Sequence, residues 1–110
     1  MNISKEQEKN IADLQLLEQN IQSLLQQKQK FTQELIEVEN ALTELKKTKT
    51  SPYKIINGIM FEAQSEDLKK ELTSKKEVID IRIKNIESQE EKLRTKANSL
   101  QKEVLKYLKE

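Results

Sequence analysis

From Leu14 to Leu45 the chain carries an apolar stripe with alternating steps of three and four residues. One core position reads Leu14, Ile21, Lys28, Leu35 and Leu42, and its companion reads Leu17, Leu24, Phe31, Val38 and Leu45. Nine of these ten are apolar over five heptads, which predicts a coiled-coil helix: a mean spacing of 3.5 keeps one face turned to a partner. Extended backwards, the frame meets Asn10, Gln7 and Ile3, so the seam weakens towards the N-terminus. Ser4-Lys5-Glu6-Gln7 has capping-box spacing, a hydroxyl at the N-cap and an amide three residues on that reaches back. Lys46, Lys47 and Lys49 suit the exposed carbonyls of a last turn. Pro52 then ends the helix and makes Ser51 extended. The first helix is expected over 4–49.

A second helix is expected over 65–109, with Ser65 as N-cap and Glu66 and Asp67 in its first turn. Leu72, Ile79, Ile86, Leu93, Leu100 and Tyr107 recur at every seventh residue. The companion position is less regular, since Leu68 and Lys75 give way to Ile83, Glu90, Ala97 and Val104. That reads as a drift of the stripe around the helix, not a break. Two helices of about 45 residues, each about 68 Å long, flank a connection of about fifteen. Equal lengths and a tight bend predict an antiparallel pair, with facing residue numbers summing to about 114. Lys28 then lies about one turn from Glu90. They are either a register-fixing pair or two snorkelling side chains.

Between the helices, residues 53–62 read Tyr-Lys-Ile-Ile-Asn-Gly-Ile-Met-Phe-Glu. Asn57-Gly58 is a strong signal for a two-residue turn, because type I′ needs positive φ at both positions. A tight turn there pairs Ile56 with Ile59, Ile55 with Met60, Lys54 with Phe61 and Tyr53 with Glu62. One face then carries Ile56, Ile59 and Phe61, and the other carries Tyr53, Ile55 and Met60. A lone two-stranded ribbon is marginal in water, and two apolar faces cannot both rest on one thin coiled coil. Strands from other chains, or insertion into a partner, are therefore expected. The plainer alternative is a hairpin folded back onto its own helices.

Composition agrees with long helices: 35% hydrophobic, 35% charged, 4% aromatic and one Gly in 110 residues. The whole is expected to be one domain, residues 1–110. Net charge is +1, so no bulk field favours nucleic acid or an anionic membrane. Residues 1–45 hold four Lys against eight Asp/Glu, and residues 46–110 hold sixteen Lys/Arg against eleven, balances of −4 and +5. Segments of opposite sign attract when they pack side by side, an effect that salt screens. No apolar run approaches the ~20 residues of a membrane span, and the N-terminus lacks a signal-peptide apolar region. With no Cys and hence no disulfide, a cytoplasmic location is expected.

Catalytic apparatus is not expected. There is no His, Cys or Trp, and a single Gly cannot build a phosphate-cradling loop. Acid–base work would fall to Asp, Glu, Lys or Tyr on exposed helix faces, with no cleft to tune them. No metal, cofactor or catalytic site is expected. Lys69-Lys70, Lys75-Lys76 and Lys92/Arg94/Lys96 form basic clusters, but acidic residues interleave them and aromatics are lacking. A nucleic-acid-binding arm is the weakest reading, and it predicts strongly salt-dependent binding.

The order of these elements resembles prefoldin: a helical arm, an apolar β-hairpin at the bend, and a second arm. One hairpin and a short chain are similar to the β-type subunit (the subunit-6-like class), not to the larger α-type with two hairpins. The stretches that carry the likeness are Gln27-Lys28-Gln29-Lys30, Tyr53-Lys54 through Ile59-Met60-Phe61, Leu68…Leu72, and Ser88-Gln89-Glu90-Glu91. The likeness covers essentially the whole chain. Family hairpins often place Gly where this chain has Asn57, with Gly58 one place later. Asn tolerates positive φ, which leaves the turn type open at this point.

The resemblance implies a mainly α chain, a long antiparallel two-helix coiled coil whose hairpin assembles into an inter-subunit β-barrel platform. Four β-type and two α-type subunits make a hexamer, which holds unfolded clients at the coiled-coil tips without ATP and passes them to a group II chaperonin. The expected partners are thus α-type subunits, further β-type copies, clients and the chaperonin, with no nucleic acid and no membrane. Tyr53, Ile55, Ile56, Ile59, Met60 and Phe61 are the expected oligomerisation residues. Both chain termini meet at the weakest part of the seam, where Ile3, Ile11, Val104, Leu105, Tyr107 and Leu108 offer apolar surface for non-native chains. The rival reading is a non-catalytic coiled-coil spacer, or an arm that docks one partner through its hairpin.

Overall fold

Ser4 caps the first helix as its spacing predicts. Its Oγ accepts the Gln7 amide at 3.1 Å, while its own N–H donates to Gln7 Oε1 at 2.9 Å, closing the reciprocal box. The computed structural model describes residues 3–109. It contains helix α1 (Lys5–Lys47), strands β1 (Tyr53–Ile56) and β2 (Ile59–Glu62), and helix α2 (Ser65–Lys109). Thr48 N–H still donates to the Glu44 carbonyl, so α1 frays before Pro52 and not at it. At the start of α2 the expected cap moves back one residue. Leu68 N–H donates to the Gln64 carbonyl at 3.0 Å, which makes Gln64 the N-cap and Ser65 the first helical residue.

The chain divides into two compact units: the part of α1 up to Gln29 with α2 from Lys84 onward, and Lys30–Ile83. In the first unit Ile21, Leu24, Ile86, Ala97 and Val104 are buried, and in the second Val38, Leu45 and Ile79. All ten predicted α1 seam positions are buried or half-buried. Two side-chain contacts fix the antiparallel register. Phe31 lies 5.5 Å below the Arg82 guanidinium in one unit, and Asn10 Nδ2 donates to Tyr107 Oη at 2.7 Å in the other. Their numbers sum to 113 and 117, within one turn of the expected 114.

The drift in α2 has a definite place. Lys75 is exposed and Lys76 half-buried, so the inward positions run Ser65, Leu68, Leu72, Lys76, Ile79. Steps of three, four and four make an eleven-residue repeat over one stretch, after which the seven-residue pattern resumes. The aliphatic stem of Lys76 can cover the seam while its ammonium reaches water.

Lys28 and Glu90 do not form a pair. Glu90 accepts from Arg94 Nε, one turn along α2, at 3.0 Å. Lys28 is half-buried beside them. An (i, i+4) pair needs no approach across the seam, so the nearer cation takes the carboxylate, and the aliphatic stem of Lys28 can cover the seam while its ammonium reaches water.

Candidate functional site

β1 and β2 pair antiparallel in the register set by Asn57-Gly58: Tyr53 with Glu62, Lys54 with Phe61, Ile55 with Met60, Ile56 with Ile59. φ is 50° at Asn57 and 80° at Gly58, so both turn residues occupy the left-handed region of a type I′ turn. That resolves the turn type. A Cβ added at Gly58 meets nothing within 4 Å, so the demand for glycine is purely conformational. Gly58→Ala is accordingly expected to cost the hairpin about 1 kcal/mol. Amide exchange across β1 and β2 should speed up about fivefold, with α1 and α2 unaffected.

Two polar contacts hold the ribbon to its surroundings. Ala63 N–H donates to the Pro52 carbonyl at 2.9 Å, continuing the ladder past the last strand pair. Lys54 Nζ donates to both carboxylate oxygens of Glu71 on α2, at 2.6 and 2.7 Å. Both ion-pair partners are partly solvated, so the bridge orients β1 more than it stabilises the fold.

Lys54 shares the face of Ile56, Ile59 and Phe61, by cross-strand pairing. The opposite face holds Tyr53, Ile55 and Met60, which at 61%, 67% and 64% are the most exposed large apolar residues. Ile56, Ile59 and Phe61 are also exposed. The hairpin has therefore not folded back onto its helices. Six apolar side chains face solvent on a sheet of two strands, so each strand is an edge with one row of backbone groups lacking a strand partner.

The other candidate residues lie in the first unit. Val104 is 8% exposed and is taken by the seam; Tyr107 and Ile11 are half-buried. Ile3, Leu105 and Leu108 are exposed. The Asn10–Tyr107 hydrogen bond ties the beginning of α1 to the end of α2, so these residues belong to one neighbourhood. Met1, Asn2 and Glu110 lie outside the described residues.

Sequence reasoning missed an apolar groove next to this neighbourhood. Leu16, exposed, and Leu17 and Leu100, half-buried, line an open volume of about 590 Å³ with Asp13, Lys96 and Glu103 beside them. The adjacent leucines Leu16-Leu17 were the available signal: only one of two neighbours can enter a seam. Among the described residues no group of three or more His, Cys, Asp or Glu could hold a metal ion. No described helix is long and apolar enough to cross a membrane.

Comparison with known proteins agrees with this arrangement. The family model described as "Prefoldin subunit" matches residues 8–110. A prefoldin subunit beta of Archaeoglobus fulgidus is 39% identical over 100 residues, covering 89% of this chain and 86% of that one. A prefoldin subunit beta of Sulfurisphaera tokodaii is 33% identical over 108 residues, covering 96% and 86%. The crystal structure of the prefoldin beta subunit from Thermococcus strain KS-1 superposes with a TM-score of 0.88 at 28% identity, covering 99% of this chain and 97% of that one. With a family model matched over residues 8–110, β-subunit relatives up to 39% identical across most of both chains, and the same overall fold in a solved β subunit, the chain belongs to the prefoldin family, in its β-subunit class.

Proposed function

We propose that this chain is a non-enzymatic subunit of a prefoldin-type co-chaperone, assembling through its hairpin and holding unfolded proteins at the joined helix ends. The observation that carries the reading is the hairpin, where six apolar side chains face solvent on a ribbon with two open edges. Covering such a surface releases about 1.5–3 kcal/mol for each Ile, Met or Phe that goes from exposed to buried. Strand addition also satisfies the edge backbone groups. Hairpins of α-type subunits and of further β-type copies supply both, as a hexameric platform.

Client capture is assigned to Ile3, Leu105 and Leu108, with Ile11 and the Leu16 groove beside them. Apolar contact without directional bonds suits chains of any sequence. Delivery to a group II chaperonin rests on family membership.

The test asks the helix ends to act. Changing Ile3, Ile11, Leu105 and Leu108 to Ser is expected to leave oligomer mass unchanged but weaken suppression of aggregation, read as light scattering of a diluted denatured protein without nucleotide. Several subunits sharing one client add avidity, so the loss should exceed that of a single contact, about tenfold or more in the concentration needed. Equal protection by altered and unaltered oligomers would favour the structural spacer instead. Protection only with ATP would contradict the proposal.

A further inference from the structure

Met60 is one of two methionines in this chain, the other being Met1, and the chain has no Cys and no Trp. It stands on the most exposed face of the hairpin, paired across the strands with Ile55, and is itself 64% exposed. One of the chain's two thioether sulfurs is thus set in the apolar surface that assembly covers. We propose that Met60 is an oxidation site that couples assembly to peroxide, which requires that the hairpin be the assembly surface proposed above.

The chemistry needs an oxygen-atom donor such as hydrogen peroxide. The thioether sulfur attacks one peroxide oxygen, an S–O bond forms and the O–O bond breaks. The transferred oxygen passes its proton to the departing hydroxide, which leaves as water. Sulfur loses two electrons and the peroxide gains them. The product, a sulfoxide, turns a flexible apolar side chain into a polar one with a strong acceptor oxygen. In the free chain that oxygen is solvated. In an assembled apolar layer it would be buried without a donor, which disfavours assembly. Access works in the same direction, since Met60 is open only while the hairpin is uncovered. The switch therefore acts on unassembled subunits and spares finished oligomers. Methionine sulfoxide reduction restores the side chain.

The experiment treats the isolated chain with dilute hydrogen peroxide, locates the added oxygen by peptide mass spectrometry, and titrates assembly with the α-type partner by sedimentation. Oxygen is expected on Met60 in the free chain and not in the oligomer. The oxidised chain should assemble roughly tenfold to a hundredfold more weakly. Met60→Leu keeps the volume but has no sulfur at this position, so its own assembly constant is expected to be the same before and after peroxide. Equal assembly of oxidised and unoxidised parent overturns the inference. So does an equal loss in Met60→Leu, since the effect would then lie at another residue. Phe61→Asp separates the two claims. If it disrupts the oligomer while oxidised Met60 does not, only the oxidation switch fails. If neither matters, the hairpin is not the assembly surface.

Discussion

A Phe61→Asp chain mixed with α-type subunits is expected to sediment as dissociated subunits that keep nearly all their helical signal. Phe61 pairs with Lys54 across the strands and shares its face with Ile56 and Ile59. It is exposed in the single chain, so the substitution costs the isolated subunit little. In a covered sheet the same carboxylate is buried in an apolar layer, at a cost of several kcal/mol. Each platform contains the change once for every copy of the chain, and the dissociation constant should rise more than about a hundredfold. α1 and α2 keep their own seam, and no residue of it is touched. Ile59→Asp should behave alike. Unchanged mass in both variants would assign assembly to another surface.

The second large effect concerns the seam. Ile79 is the most buried of the core residues, at 3% exposure, whereas Ile81, two residues on and about 200° around the same helix, is 59% exposed. Ile79→Ala removes three carbons from a packed layer and should destabilise the chain by about 2–4 kcal/mol. A thin two-helix seam admits water to the vacated space, which keeps the cost below the highest values for globular cores. The thermal midpoint of the helical signal should drop by about 10–20 °C. Ile81→Ala removes the same atoms from solvent, and alanine is the better helix former. Its midpoint is expected to stay within a few degrees of the parent. Similar losses at both positions would mean that Ile81 is covered in the assembly as Ile79 is covered in the chain.

The seven-residue repeat from Leu14 to Leu45 placed every α1 seam residue on a covered face, because a heptad is a geometric statement about one helix. Asn57-Gly58 fixed the strand register to the residue, since few residue types take positive φ and a two-residue turn leaves no slack. Pro52 bounded the first helix from beyond, and Ser4 and Gln7 capped it, for equally local reasons. Local rules decide local structure.

What lay outside the sequence's reach depends on choosing between neighbours. Lys75 and Lys76 carry the same side chain, and only packing selects Lys76 for the seam. Glu90 had Lys28 across the seam and Arg94 on its own helix as candidate cations; the shorter reach along one helix decided for Arg94. Val104 and Leu105 are adjacent and both apolar, yet one closes the core and the other faces water, so composition alone overstated the apolar surface at the helix ends. Lys54 and Glu71 are seventeen residues apart, and they meet only because the hairpin's pairing turns Lys54 towards α2. The periods, the turn and the caps are local properties, because each depends on the conformation of a few consecutive residues. The tertiary structure alone decided which of two equivalent residues is buried and which charges meet, because those outcomes depend on how one element approaches another.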